Sequence, residues 1–186
     1  MKYNLFVKGM VLLSSTILIA GSCKKDSPPQ EQLPPETHTG AYTFGCKVDG
    51  VVYKASGKDG LLAKQHVYYS YYSSDSTFNI GAGSIINQKF SININFKCSV
   101  LNSQCLLSNF PYKATFTDDS NGTVPGNSNT YSTNNFQTGN VVVKYFNGTF
   151  APGNFGTIAS GIFEMECINA NGKIIKITEG RFDSGL

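Results

Sequence analysis

The sequence contains no tryptophan and only two histidines among its 186 residues. Catalysis by a Ser-His-Asp or Cys-His arrangement requires a placed histidine. His38 lies in a proline-rich segment, which leaves His66 as the one candidate, and no nucleophile motif accompanies it. Nothing in the sequence therefore favours that type of enzyme, and we expect a non-catalytic protein.

Charged residues are also scarce, at 15% of the chain, and they form neither a basic stripe nor an acidic tail. This distribution argues against a nucleic-acid partner. The sequence has no Cys-x-x-Cys pair with a nearby histidine, as a zinc site would need. Asp118 and Asp119 begin a polar turn that lacks the ligand spacing of a calcium loop. No metal and no cofactor are predicted.

Long hydrophobic runs are absent. The longest apolar stretch, residues 11–20, is about half the roughly 20 residues that cross a bilayer as a helix. Lys2 and Lys8 precede it, and small residues follow it up to Ser22. Residues 1–22 are therefore predicted to be a secretory signal peptide rather than a membrane span.

The residues Gly21-Ser22-Cys23 resemble the bacterial lipobox, with Ala20 where leucine is usual. The resemblance implies that Cys23 becomes the acylated first residue; cleavage by the ordinary signal peptidase is the alternative. Lys24-Lys25-Asp26 resembles the signal that sends lipoproteins of Bacteroidota-type bacteria to the cell surface. We expect an outer-membrane lipoprotein, on the cell surface or the periplasmic face, held by acyl chains.

Removal of the signal leaves 164 residues with 13 basic and 12 acidic side chains, so the net charge falls to +1. Residues 23–40 hold the lipidated cysteine and a proline-rich, polar tether. Residues 41–186 then form a single domain. Its many Asn, Ser and Gly residues suit turns, and its Tyr, Phe, Val and Ile suit half-buried strands.

Alternation of apolar and polar residues dominates that domain. Residues 90–97 place Phe90, Ile92, Ile94 and Phe96 on one face, the signature of a half-buried strand. Asp49-Gly50 suits a two-residue hairpin turn. About nine to ten short strands at this spacing predict an all-β fold, an antiparallel β-sandwich or small barrel.

The motifs Thr43-Phe44-Gly45-Cys46 near the start and Ile177-Thr178-Glu179-Gly180-Arg181-Phe182-Asp183 at the end resemble a family of uncharacterised lipoproteins from Bacteroidota-type bacteria. The likeness covers essentially the whole domain, although its middle matches only as alternating strands. It implies an all-β fold and a cell-envelope address, and it implies no activity.

Four cysteines remain in the domain, and export to an oxidising compartment favours disulfides. Cys46 and Cys167 fall on inward faces of terminal strands, so we predict a bridge between them if those strands approach. Cys98 and Cys105 are close enough in sequence for a local bridge. Small buried thiols are the alternative.

Other polar and aromatic residues are candidates for a site. Alternation separates Tyr68 and Tyr72 from Tyr69 and Tyr71, and the latter pair is the predicted sugar-stacking platform, with ordinary strand surface as the alternative. Ser76 lies in a short acceptor-like motif for O-glycosylation.

Glu164 and Glu166 share the polar face of a strand and could act as paired carboxylates in glycoside hydrolysis. A solvated strand face is the alternative. The leading prediction is a membrane-anchored binding or accessory module whose partner is a glycan or an envelope protein. A carboxylate-dependent hydrolase and a structural envelope protein are the alternatives.

Overall fold

The computed structural model describes residues 32–58, 64–72, 74–86, 89–107, 113–119, 129–133, 138–148 and 158–185, and the predicted all-β fold is confirmed. No helix able to cross a membrane occurs in these ranges. The strands are β1 (Thr43–Val48), β2 (Val51–Ser56), β3 (Gln65–Tyr72), β4 (Thr77–Ser84), β5 (Phe90–Lys97), β6 (Gln104–Leu106), β7 (Ala114–Asp118), β8 (Thr130–Ser132), β9 (Gly139–Phe146), β10 (Ile158–Ile168) and β11 (Ile174–Gly185). The predicted signal peptide, residues 1–22, and Cys23 lie outside the described residues.

Nine antiparallel strands follow the order β2-β1-β11-β10-β8-β7-β5-β4-β3 and form a nearly closed barrel. The first and last strands pair directly, with Thr43 opposite Asp183. Where the two ends of the sheet meet, the Val67 amide N–H donates to the Gly57 carbonyl oxygen at 2.9 Å. Of the two predicted architectures, the barrel is the one observed.

Two strands lie off this path. β9 pairs with β10 between Ala159 and Met165, whereas β8 meets β10 only at Ile168. β6 extends the branch by pairing with β9, with Cys105 opposite Val141. The sequence did not predict β6, because three residues are too few for a pattern of alternation to appear.

The barrel interior is filled mainly by aromatic and β-branched side chains. All four predicted inward residues of β5 are buried. Tyr53 packs edge-on against Phe90 and Phe116, with ring centroids 5.4 and 5.2 Å away, a favourable geometry for aromatic pairs. Full burial of one such ring contributes about 2–3 kcal/mol, so the core rather than any single bond supports the strand order.

A disulfide joins Cys98 to Cys105, the local bridge anticipated from their spacing. It closes a loop of eight residues between the end of β5 and β6. The chain-entropy relation assigns a loop of this size about 2.5 kcal/mol. The bridge therefore adds to the pairing with β9 in fixing the short β6 strand.

The predicted Cys46–Cys167 bridge is wrong for this structure, because both residues are buried free thiols. The first and last strands do approach, but Cys167 lies on β10, and β11 lies between β10 and β1. Two strand spacings amount to about 9.5 Å, and disulfides need Cα atoms within about 7 Å. The inward facing of both side chains was correct, and the intervening strand keeps them apart.

Residues 32–40, which we call the strap, are tied to the barrel, although the sequence placed them in a solvated tether. Their anchor is the carboxylate of Asp183, which is only 1% exposed. It accepts hydrogen bonds from the Thr37 hydroxyl at 2.7 Å, the Thr39 amide N–H at 3.0 Å and the Gly40 amide N–H at 2.8 Å. The compact unit of the chain accordingly starts at Gln32.

The charge of Asp183 depends on these donors. Burial alone would raise the pKa of its carboxyl group, but hydrogen bonds from Thr37, Thr39, Gly40 and Ala41 outweigh burial and lower it. A carboxylate with a lowered pKa stabilises the folded state above its usual titration range. The contribution is lost as the pH falls through the folded-state pKa, below about 4.

We expect Asp183→Asn to reduce the free energy of unfolding at pH 7 by about 3 kcal/mol, because an amide cannot accept from all these donors. Glu179→Gln on the same strand is the control; its exposed ion pair with Lys47 should contribute under about 1 kcal/mol. Urea denaturation from pH 7 to pH 3 measures both. The wild-type and Asp183→Asn curves should converge as the pH falls below about 4, and equal losses in the two variants at pH 7 would contradict this role.

We also expect Cys46 and Cys167 to resist alkylation in the native protein. Burial raises the pKa of both thiols, that of Cys167 to about 12, so little thiolate forms and reagents have no access. Iodoacetamide at pH 8, followed by mass spectrometry, should modify neither residue in the native protein and both after denaturation. Asn171→Cys, in an exposed hairpin turn, is the reactive control. Failure of both thiols to react after denaturation would indicate that they are bridged.

Candidate functional site

The predicted tyrosine platform is wrong in its choice of face. Tyr69 and Tyr71 are 3% and 8% exposed and belong to the core. The Tyr71 ring packs 4.7 Å from Phe78 and 4.8 Å from Phe146, measured between centroids. Burial raises the pKa of Tyr69, with a smaller contribution from Tyr42. These two tyrosines therefore stabilise the barrel and cannot contact a ligand outside it.

The opposite face of β3 carries a different pair of rings. Tyr68 and His66 are half-buried. Their ring planes are nearly parallel, inclined by 23°, and the ring centroids lie 6.0 Å apart. They lie directly over Gly81 and Gly83 of β4: a Cβ at Gly81 would be 2.1 Å from Tyr68 Cζ, and one at Gly83 would be 2.8 Å from His66 Cε1. Only glycines permit this approach, and both residues keep part of their surface exposed.

Three asparagines continue this surface across β4 and β5. Asn93 Nδ2 donates to the Tyr68 hydroxyl at 3.2 Å, and Asn95 Nδ2 donates to Asn93 Oδ1 at 2.9 Å. Asn79 Nδ2 donates to Asn95 Oδ1 at 2.6 Å. The network holds the Tyr68 ring in one orientation. We call these five residues, His66, Tyr68, Asn79, Asn93 and Asn95, the aromatic–amide surface.

A second feature occupies the outer face of β9, β10 and β11. Two adjoining clefts, of about 290 and 310 Å³, share Asn140 and Glu164 in their linings. The first, which we call the Lys176 cleft, is also lined by Lys176 and Glu166. The second, which we call the Glu36 cleft, is also lined by Glu36 from the strap. The predicted carboxylate pair thus lies at a concave surface rather than on a flat strand face.

The charges of these clefts are partly neutralised. Lys176 Nζ lies 3.3 Å from Glu166 Oε1, and Lys47 Nζ lies 2.6 Å from Glu179 Oε1. Within the described ranges, Glu164 has neither an ion pair nor a hydrogen bond. Glu164 and Glu166 therefore line the same cleft, but only Glu166 forms an ion pair there, with Lys176.

A Ser–His contact exists that the sequence did not suggest. His38 Nδ1 lies 2.6 Å from Ser160 Oγ, and its ring stacks on Tyr145 with centroids 6.1 Å apart. Ser160 is fully buried, so its hydroxyl cannot reach a substrate. Asp183 is occupied by the donors of the strap. The contact satisfies a buried hydroxyl group and helps to fix the strap, and it has no catalytic geometry.

The other sequence-predicted residues are dispersed. Ser76 lies in the turn between β3 and β4 and is half-buried, with a φ of 61° and its carbonyl oxygen accepting from the Cys98 amide N–H at 3.1 Å. Asp119 lies just after β7, away from both clefts. Among the described side chains, no group of three or more His, Cys, Asp or Glu residues could hold a metal ion.

Comparisons with family models, with curated proteins and with solved structures found no match to this chain. Two surfaces therefore remain as candidates for function: the aromatic–amide surface on β3, β4 and β5, and the paired clefts on β9, β10 and β11.

Proposed function

We propose that this chain is a non-catalytic binding domain of a cell-envelope lipoprotein, and that it binds a saccharide at the aromatic–amide surface. The observation that carries the proposal is the pair of rings of His66 and Tyr68, which lie flat on the sheet. A sugar ring has an apolar C–H face, which stacks on such rings, and a rim of hydroxyl groups that needs donors and acceptors nearby.

The amide groups support the same ligand class. Asparagine side chains both donate and accept hydrogen bonds. Asn93 donates to the Tyr68 hydroxyl, and Asn95 and Asn79 extend the amide network from Asn93 along the surface. Because the network fixes the ring and amides before binding, a ligand would lose less free energy to ordering side chains. Rings over glycines stabilise sheets without any ligand, so the rings by themselves do not indicate binding. The argument for binding is that an amide network lies beside rings that are only half-buried.

We expect Tyr68→Ala to weaken saccharide binding by at least about tenfold, the effect of losing one well-packed aromatic contact. The control is Tyr72→Ala, because Tyr72 is 59% exposed on the same strand and lies outside the aromatic–amide surface. A glycan array with the mature wild-type protein identifies the ligand, and calorimetry compares the variants. Absence of binding across the array, or an equal loss in Tyr72→Ala, would contradict the proposal.

The proposed location follows from the lipobox-like residues before Cys23 and from the strap. Between Cys23 and Gln32, where the compact unit begins, the chain can span at most about 30 Å. An acyl anchor on Cys23 would therefore keep the barrel close to the outer membrane, on the cell surface or on its periplasmic face. A domain held there would meet envelope or environmental glycans.

We expect Cys23→Ala to abolish acylation and to leave the protein soluble in the periplasm or as an uncleaved precursor. Metabolic labelling with a palmitate analogue measures this directly. Cys46→Ala removes a cysteine of the domain and should keep the label. Persistence of the label in Cys23→Ala would show that Cys23 is not the acyl acceptor.

A carboxylate-dependent hydrolase is the second candidate, because Glu164 lines both clefts. Glycosidases use a pair of carboxyl groups, one as acid and the other as base or nucleophile. The ion pairs of Glu166 and Glu179 with lysines make this the weaker candidate. It requires hydrolysis of a glycan by the wild-type protein that Glu164→Gln abolishes.

A further inference from the structure

The Glu36 cleft combines an apolar floor with acidic walls. Val142 and Ile162 are half-buried and lie among its lining residues, next to the buried Phe163. Glu36 of the strap and Glu164 of β10 also line the cleft. The cavity of about 310 Å³ is thus suited to a ligand that lays an alkyl chain on this floor and places a positive group near the carboxylates.

The ionisable groups of this cleft leave two carboxylates without a counter-ion. Glu179 is paired with Lys47, and Arg181 donates through Nη1 to the Pro34 carbonyl oxygen at 3.2 Å. In the part of the chain that the structure describes, Glu36 and Glu164 make no ion pair and accept no hydrogen bond. Three glutamates and one arginine line the cleft, and with Lys47 paired to Glu179 these five groups carry a formal charge of −1.

A third acceptor lies at the edge of the same cleft. Asn140 Oδ1 is buried and has no hydrogen-bond partner among the described residues. Buried amide oxygens without a donor are uncommon in folded proteins. Asn140 is one of the lining residues of the cleft, so a ligand that brings N–H donors to it would offer this oxygen a partner.

We propose that the Glu36 cleft binds an alkylammonium group. The alkyl chain lies on Val142 and Ile162, and the ammonium group lies between the carboxylates of Glu36 and Glu164. An ammonium group carries three N–H donors and a positive charge, which matches two carboxylates and one amide oxygen. A bare divalent cation fits less well, because it would need several oxygen ligands and the floor is apolar.

This inference does not depend on the saccharide proposal, because the cleft and the aromatic–amide surface involve different strands. It gives the strap a second role. Since Glu36 belongs to the strap, the cleft is complete only while Asp183 holds the strap on the barrel. An ammonium ligand would therefore bind to the same folded state that the Asp183 hydrogen bonds stabilise.

Titration calorimetry of the mature protein with cadaverine tests the proposal, with 1-pentanol as the uncharged probe of similar length. We expect cadaverine to bind more tightly than pentanol and its affinity to fall as ionic strength rises. Glu164→Gln and Glu36→Gln should each weaken cadaverine binding about threefold to fivefold, the effect of one exposed ion pair.

Two controls separate this site from its surroundings. Glu166→Gln removes a carboxylate of the neighbouring cleft that is already paired with Lys176, and Tyr68→Ala alters the aromatic–amide surface; neither should change cadaverine affinity. Nα-acetyl-lysine N-methylamide tests the source of the ligand. If it binds as well as cadaverine, the ligand is a lysine side chain of a peptide; if only cadaverine binds, it is a free diamine.

Three results would overturn the inference. Cadaverine could bind no better than pentanol, its binding could be independent of salt, or Glu166→Gln could weaken it as much as Glu164→Gln. Loss of saccharide binding in Tyr68→Ala with cadaverine binding intact would support two independent sites. Loss of cadaverine binding in Tyr68→Ala would contradict the separation of the two surfaces.

Discussion

The pairing of the first strand with the last, at one end of which Asp183 lies, is the constraint on which the rest of the structure depends. Asp183 lies opposite Thr43 of β1 on one side and Ser160 of β10 on the other. Its buried carboxylate needs donors, and the strap supplies them. The same residue therefore stabilises the pairing of β1 with β11 and determines where the strap meets the barrel.

The barrel wall separates two kinds of requirement. Inward positions must fill the core, so they are aromatic or β-branched, and substitutions there would leave cavities. Outward positions are free of that requirement, and in two regions of the outer surface the side chains are arranged in a specific way. Rings lie over Gly81 and Gly83 on one stretch of the wall, and carboxylates surround an apolar floor on another. Both arrangements are more specific than a solvated strand surface requires.

The strap lies in the sequence between the proposed anchor, Cys23, and the barrel, and it also contributes Glu36 to the proposed binding cleft. A short proline-rich sequence separates Cys23, the proposed acyl acceptor, from the strap. The strap also provides a wall of the Glu36 cleft through Glu36. Because the Asp183 carboxylate must be charged to hold the strap, acid would weaken the docking of the strap and, with it, the Glu36 cleft. Strap and barrel thus behave as one folded unit at neutral pH.

Alternation in the sequence was sufficient to predict most strands and the inward residues of β5, because side chains on a strand point to opposite faces by covalent geometry. The Asp49-Gly50 turn followed instead from residues that tolerate positive φ, which both adopt. It was insufficient for the run of tyrosines in β3, where both faces are aromatic and the period cannot say which face is inside. It was also insufficient for Cys46 and Cys167, since facing does not reveal that β11 lies between their strands. The aromatic–amide surface, the clefts and the docking of the strap join residues far apart in sequence. Only strand order and register bring them together, so the tertiary structure alone decided them.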